Sequence, residues 1–200
     1  MSGIDLKYVR QTYEAMSDEE LARTATQDAA GLTPEAMEIV KAEIMRRGMG
    51  AKLAESVDAQ NKTFTLREID AYCDTLSVLP CPNCGSSERR LNGTMTGEVM
   101  SFLIMTQYRK KFVVACPRCL DKANNAALAK SAILGWWGLP WGIINTIQSI
   151  ILNSKNKNAN HLTDHNNSLR SFVLSNAGAM EAYKNDPARL SELIGQNNRN

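Results

Sequence analysis

Cys81-Pro82-Asn83-Cys84-Gly85 and Cys116-Pro117-Arg118-Cys119 are the stretches on which the reading of this 200-residue chain turns. A C-x-x-C turn presents two thiolates from one tight loop, and two such turns supply four ligands for a tetrahedral zinc ion. Gly85 suits a knuckle in which the chain turns closely around a metal. Between the pairs lie two apolar, β-prone runs, residues 99–105 and 112–115, with Gly93 and Gly97 as candidate turns or bulges. The combination predicts a small zinc ribbon with antiparallel strands and one structural Zn2+ on Cys81, Cys84, Cys116 and Cys119. Four sulfur ligands close the coordination sphere and leave no position for an activated water, so this metal holds the fold rather than doing chemistry. A redox pair of the thioredoxin type needs a C-x-x-C at a helix start in a βαβ context, and the sequence announces none. Cys73 reads as a small buried residue on a helix face.

The cysteine module is basic. Residues 80–125 hold seven Lys/Arg against three Asp/Glu. Arg109, Lys110 and Lys111, next to Tyr108 and Phe112, are candidate anion contacts for a phosphate backbone. Aromatic interleaving is sparse, and a solvated basic surface explains the same residues.

Upstream, residues 1–79 are acidic, with nine Lys/Arg against fourteen Asp/Glu, and read as helices. Ser17 and Glu20 form a capping box, with Met16 and Leu21 as its hydrophobic staple. Thr33 caps a second helix, Pro34 takes the first helical position, and Leu32 with Met37 forms another staple. Met37, Val40, Ile44 and Met45 share a face. Arg46 and Arg47 complement the C-terminal dipole, and Gly48 is a stop. The two helices predict an N-terminal helical hairpin, with residues 4–16 adding a helix before it. Residues 51–64 read as a linker. Thr65 and Glu68 cap a further helix whose face carries Leu66, Ile69, Tyr72, Cys73 and Leu76, and Pro80 delivers the chain to Cys81.

Downstream, residues 131–154 are 24 positions without a charge, and they contain all three tryptophans in Gly135-Trp136-Trp137-Gly138-Leu139-Pro140-Trp141-Gly142. A straight helix of that length reaches about 36 Å at 1.5 Å per residue, against a bilayer core of roughly 30 Å. Gly138 and Pro140 interrupt it. Three readings stand: a single spanning helix, a re-entrant or interfacial helical hairpin turning at residues 138–140, and a buried core or partner-binding element. Lys and Arg flank both sides, and the positive-inside tendency keeps both flanks on the cytoplasmic face, as in the hairpin reading. Trp136, Trp137, Leu139, Pro140 and Trp141 are the candidate membrane or partner contacts.

The tail begins with residues 154–167, a polar, Asn-rich linker around His161 and His165, whose helical spacing is that of a surface pair rather than a second metal site. Residues 168–200 recover helical patterning, with Pro187 starting the last helix. The domain order is thus 1–50 helical, 51–64 linker, 65–125 zinc ribbon with its leading helix, 126–153 apolar, 154–167 linker and 168–200 helical tail; the fold class is α+β.

A formal net charge of +2 argues against a whole-chain nucleic-acid binder. A mean hydropathy of −0.30 excludes a multi-span membrane protein but not one short membrane-active segment. Acidic and basic residues break any signal-peptide pattern in the first twenty positions, so the expected location is cytoplasmic, where thiols stay reduced. There is no phosphate loop, H-E-x-x-H or nucleophile elbow, and a non-enzymatic protein is expected.

The order of these elements resembles a set of uncharacterised bacterial proteins that combine a zinc ribbon with a Gly-Trp-Trp-Gly-x-Pro-Trp-Gly segment. The likeness spans residues 17–153 and implies zinc on the four paired cysteines; it carries no catalytic residue. Zinc ribbons resembling the LITAF domain place their apolar stretch between the cysteine pairs, whereas here the main one follows the second pair. The expectation is a zinc-ribbon adaptor or regulator on the inner membrane face, bound to an unidentified protein partner. The alternative is a soluble zinc-ribbon regulator that binds nucleic acid through the basic module.

Overall fold

A computed structural model describes residues 6–102 and 105–199. The predicted helix at 4–16 and strand at 99–105 extend onto residues 4, 5, 103 and 104, which lie outside the described residues. The protein is α+β and mostly helical, with one two-stranded antiparallel sheet among the described residues. It divides into two compact units. The first takes the chain up to Tyr72 together with Val173–Leu190, and the second takes Cys73–Phe172 with Ser191–Asn200.

The first unit is helical: α1 Leu6–Ala15, α2 Asp18–Arg23, a π-helical turn Thr24–Asp28, α3 Pro34–Arg46, α4 Ala51–Ala59, the start of α5 Leu66–Ser77 and, after α8 Asn167–Ser175, α9 Ala177–Tyr183. The predicted caps form. The Glu20 N–H donates to Ser17 Oγ at 3.2 Å, and the Ser17 N–H donates to Glu20 Oε2 at 2.8 Å. Thr33 caps α3 ahead of Pro34. Leu21, Ala25, Val40, Ile44, Leu53 and Val57 form the core, with the staple residues Met16, Leu32 and Met37 packed against it.

Residues 51–59 are a helix where the sequence predicts a linker. Leu53, Ala54 and Val57 give this helix only a narrow apolar stripe, too short for a periodicity to stand out, and its side chains complete the core. Arg46 and Arg47 also do something other than complement a dipole: both guanidinium groups grip the buried carboxylate of Glu43. Arg47 donates besides to the carbonyls of Met16, Tyr13 and Glu14. Arg46, opposed by burial and aided by Arg47, holds the Glu43 carboxyl down at about 2.

The second unit is built on β1 Asn92–Phe102 and β2 Met105–Ala115, paired in register from Asn92 opposite Ala115 to Phe102 opposite Met105. Both strands exceed their predicted lengths, because β1 buries Thr94 and Thr96 beside Val99 and a search for apolar runs passes over them. Gly93 and Gly97 are neither turns nor bulges; they pair regularly with Val114 and Lys110. Their use is close approach: a Cβ on Gly93 would lie 2.7 Å from the Leu169 nitrogen. Helices α6 Pro117–Leu134 and α7 Trp141–Ala159 pack on β1 and on each other. α10 Pro187–Arg199 begins at the predicted proline.

A two-stranded sheet has two open edges, and side chains close both. Along β1, the Val99 N–H donates to Ser131 Oγ at 3.0 Å, and Asn153 and Ser149 donate to the Gly97 carbonyl. Asn156 and Asn166 donate to the carbonyls of Met95 and Gly93, each at 2.6 Å. Along β2, Asn198 accepts from the Val114 N–H at 3.0 Å and donates to its carbonyl at 2.9 Å. The Asn-rich stretch predicted as a linker at 154–167 therefore begins inside α7, and its Asn160 and Asn166 are buried. Asparagine serves here because one amide both donates to and accepts from a peptide unit.

Candidate metal centre

Each cysteine is placed by local backbone chemistry. After α5, the Cys81 N–H donates to the Ser86 carbonyl at 3.0 Å and the Gly85 N–H donates back to the Cys81 carbonyl at 2.8 Å. Gly85 closes this turn at φ +72°, a left-handed conformation that side chains disfavour. Cys116 leaves β2 and stands at the N-cap of α6, with Pro117 at the first helical position. The N–H groups of Cys119 and Leu120 donate to its carbonyl at 2.9 and 3.0 Å. One C-x-x-C thus does sit at a helix start, although it follows an antiparallel strand and not a βαβ unit. Proline after Cys116 was the available signal for that start.

The ladder joins the two pairs. Cys116 donates its N–H to Cys81 Sγ at 3.4 Å. All four sulfurs lie within 4.8 Å of one another. Cys84 Sγ and Cys116 Sγ are 3.8 Å apart; a zinc ion with bonds of about 2.3 Å separates tetrahedral sulfurs by about 3.8 Å, whereas a disulfide needs about 2.0 Å. The four cysteines can hold a metal ion, and among the described residues no other such group occurs. Cys81, Cys116 and Cys119 are buried and Cys84 is exposed.

Electrostatics favours a cation in the cluster. Burial works against the Cys81 thiolate, but N–H groups of Cys116, Asn83 and Cys84 outweigh it and bring the thiol down to about 7. Burial, then crowding by neighbouring thiols, pushes Cys119 up, and burial also raises Cys116. Four thiolates cannot accumulate here without a positive charge among them, and the α6 N-terminus contributes a partial one.

The other predicted positions are dispersed. Arg109, Lys110 and Lys111 lie on β2, where alternation sends Lys110 to the face opposite Arg109 and Lys111. They do not form one patch. His161 bonds Asp121 at 2.7 Å and His165 bonds Asp74 at 3.1 Å, apart from the cysteines. Cys73 is fully buried.

Trp136, Trp137, Leu139 and Pro140 lie in the turn between α6 and α7 and Trp141 opens α7; all five are exposed, Trp137 to 71% and Leu139 to 78%. The uncharged stretch is thus two helices and a turn. Among the described residues, no helix is long and apolar enough to cross a membrane, which removes the single spanning helix. Sequence reading missed Phe102 and Met105 at the end of the strands, exposed to 81% and 75%, and the α7 ridge of Ile144, Ile147 and Ile151. The i, i+3, i+7 spacing of that ridge, opposite Thr146, Ser149 and Asn153, was the signal available for it.

No family model, curated protein or solved structure matches the chain.

Proposed function

We propose that this is a non-enzymatic adaptor or regulator whose second unit is clamped by one structural zinc and attaches, peripherally or monotopically, to the inner face of a membrane through residues 131–152. One observation carries the reading: three tryptophans and a leucine stand exposed on a charge-free turn and the first residue of α7, the turn beginning 16 positions after the last cysteine of the cluster. Tryptophan favours the interfacial layer of a bilayer. An exposed apolar patch of this kind marks a contact surface. The zinc supplies the rigidity that a two-stranded sheet lacks by itself, and the helical first unit is left for protein contacts.

The test is cosedimentation of the zinc-loaded full chain with lipid vesicles. Binding that survives high salt, and that Trp137→Ser with Leu139→Ser abolishes, supports the reading. Release by salt alone contradicts it. A nucleic-acid role through Arg109, Lys110 and Lys111 has weaker support, because the strand splits the three between two faces; steeply salt-sensitive binding to a duplex would favour it.

A further inference from the structure

We propose that the apolar end of the second unit is a wedge that enters one leaflet of an anionic bilayer, and that Phe102 and Met105, the last described rung of the β1–β2 pair, are part of it. This rests on the membrane reading above and extends it to residues outside the tryptophan turn.

Two elements meet at that end. Gly138 lies against the hairpin, where a Cβ would stand 2.5 Å from Thr106 Oγ1, and Ser101 Oγ donates to the Gly135 carbonyl at 2.8 Å. Phe102 and Met105 form the next rung after Ser101 and Thr106, and so belong to the same end of the unit as the tryptophan turn. Polarity behind this end is inverted relative to a protein designed for water. The face of α7 turned inward carries Gly142, Thr146, Ser149 and Asn153, all buried, while Ile144, Ile147 and Ile151 face out. Polar groups find their partners inside: Ser131 with Ser149 at 2.9 Å, Thr94 with Asn124 at 3.1 Å. The indoles of Trp136 and Trp137 donate to the carbonyls of Ala132 and Ile133 at 2.9 and 3.0 Å, so those rings have no N–H left to satisfy. Surroundings without hydrogen-bonding capacity impose this order of polar inside and apolar outside.

Charge sets the depth. The first charged row behind Phe102 and Met105 is Glu98 opposite Arg109, with Lys130 bonded to Glu98. Phe102 lies four positions along the strand from Glu98, about 13 Å at roughly 3.3 Å per residue. Half of a hydrocarbon core of roughly 30 Å is about 15 Å. Phe102 thus comes close to the middle of the bilayer as the charged row meets the headgroups. Arg109, Lys110, Lys111 and Lys130 outnumber Glu98 there, which selects anionic lipid over zwitterionic lipid and over a basic protein surface.

The test uses the zinc-loaded full chain with vesicles of phosphatidylglycerol and phosphatidylcholine in equal parts, and with phosphatidylcholine alone. Tighter partitioning to the anionic vesicles is expected, with tryptophan emission quenched more by bromines deep in the acyl chain than by bromines near the headgroup. Phe102→Asp with Met105→Asp should lower partitioning by about tenfold or more at unchanged zinc content and helicity. Wild-type partitioning by that variant, shallow quenching, or equal binding to both vesicles overturns the wedge. In each of these cases a loss of binding in Trp137→Ser with Leu139→Ser leaves the peripheral attachment standing. A wild-type chain that ignores both vesicles and sediments as a dimer with its tryptophans shielded overturns both.

Discussion

The side-chain amide of Asn153 reads both sides of one peptide unit: its oxygen accepts from the Gly97 N–H at 3.2 Å and its nitrogen donates to the Gly97 carbonyl at 2.8 Å. A helix side chain thereby takes the place of a third strand. Asn198 does the same for Val114 on the opposite edge. The sheet is a pair of strands whose open edges are closed by asparagine and serine, and this protects them from pairing with other chains.

Asn153→Ala leaves the buried N–H of Gly97 unpaired, while Ser149 still donates to the Gly97 carbonyl. At roughly 1–3 kcal/mol for such a group, a destabilisation of about 2 kcal/mol is expected in urea unfolding. A loss below about 0.5 kcal/mol would show that water reaches Gly97 and that the edge needs no side chain.

Thr146 gives the opposite sign. Its hydroxyl is fully buried against Gly135 and finds no hydrogen-bond partner among the described residues. Thr146→Val removes an unsatisfied polar atom at constant shape, so stability should hold or rise by up to about 1 kcal/mol. A clear drop in the same urea titration would reveal a bond made by that hydroxyl in the folded chain.

In the helical unit, Glu43 links stability to acid. Its carboxyl lies near 4.5 when unfolded and is depressed to about 2 in the fold, chiefly by Arg46 and then by Arg47. A depressed carboxyl stabilises above its unfolded value, and that contribution fades as pH falls from about 4.5 toward 2. Glu43→Gln should flatten the pH dependence of stability across this window. Arg47→Ala should lower the thermal midpoint by about 5 °C or more at neutral pH. A wild-type slope retained in Glu43→Gln would assign the acid response to other carboxylates.

How much of this was legible beforehand follows from the kind of signal each element carries. The capping boxes at Ser17 and Thr65 and the four cysteines are local, because spacing within three or four residues defines them, and they are found as read. α4 escapes the sequence pattern because Leu53, Ala54 and Val57 make too short a stripe. β1 begins earlier than its apolar run because its buried positions before Val99 include Thr94 and Thr96. The Asn-rich stretch was misread for a deeper reason: amides look like solvent-facing loop residues until the strand edge they satisfy is known, and that edge lies about sixty residues earlier in the chain. The apolar end was half visible. Trp136, Trp137 and Trp141 stand together in sequence, whereas Phe102 and Met105 reach the same end of the unit only through the pairing of the strands.

The decisive measurement is the zinc content of the purified full chain beside that of Cys84→Ser. One zinc per chain is expected, bound more weakly as pH falls because thiols must release protons to bind it. Cys84→Ser is expected to lose the metal together with the cooperative unfolding of the second unit. A wild-type chain that is free of zinc yet unfolds cooperatively, or a Cys84→Ser chain that retains its zinc, would rule out the zinc clamp.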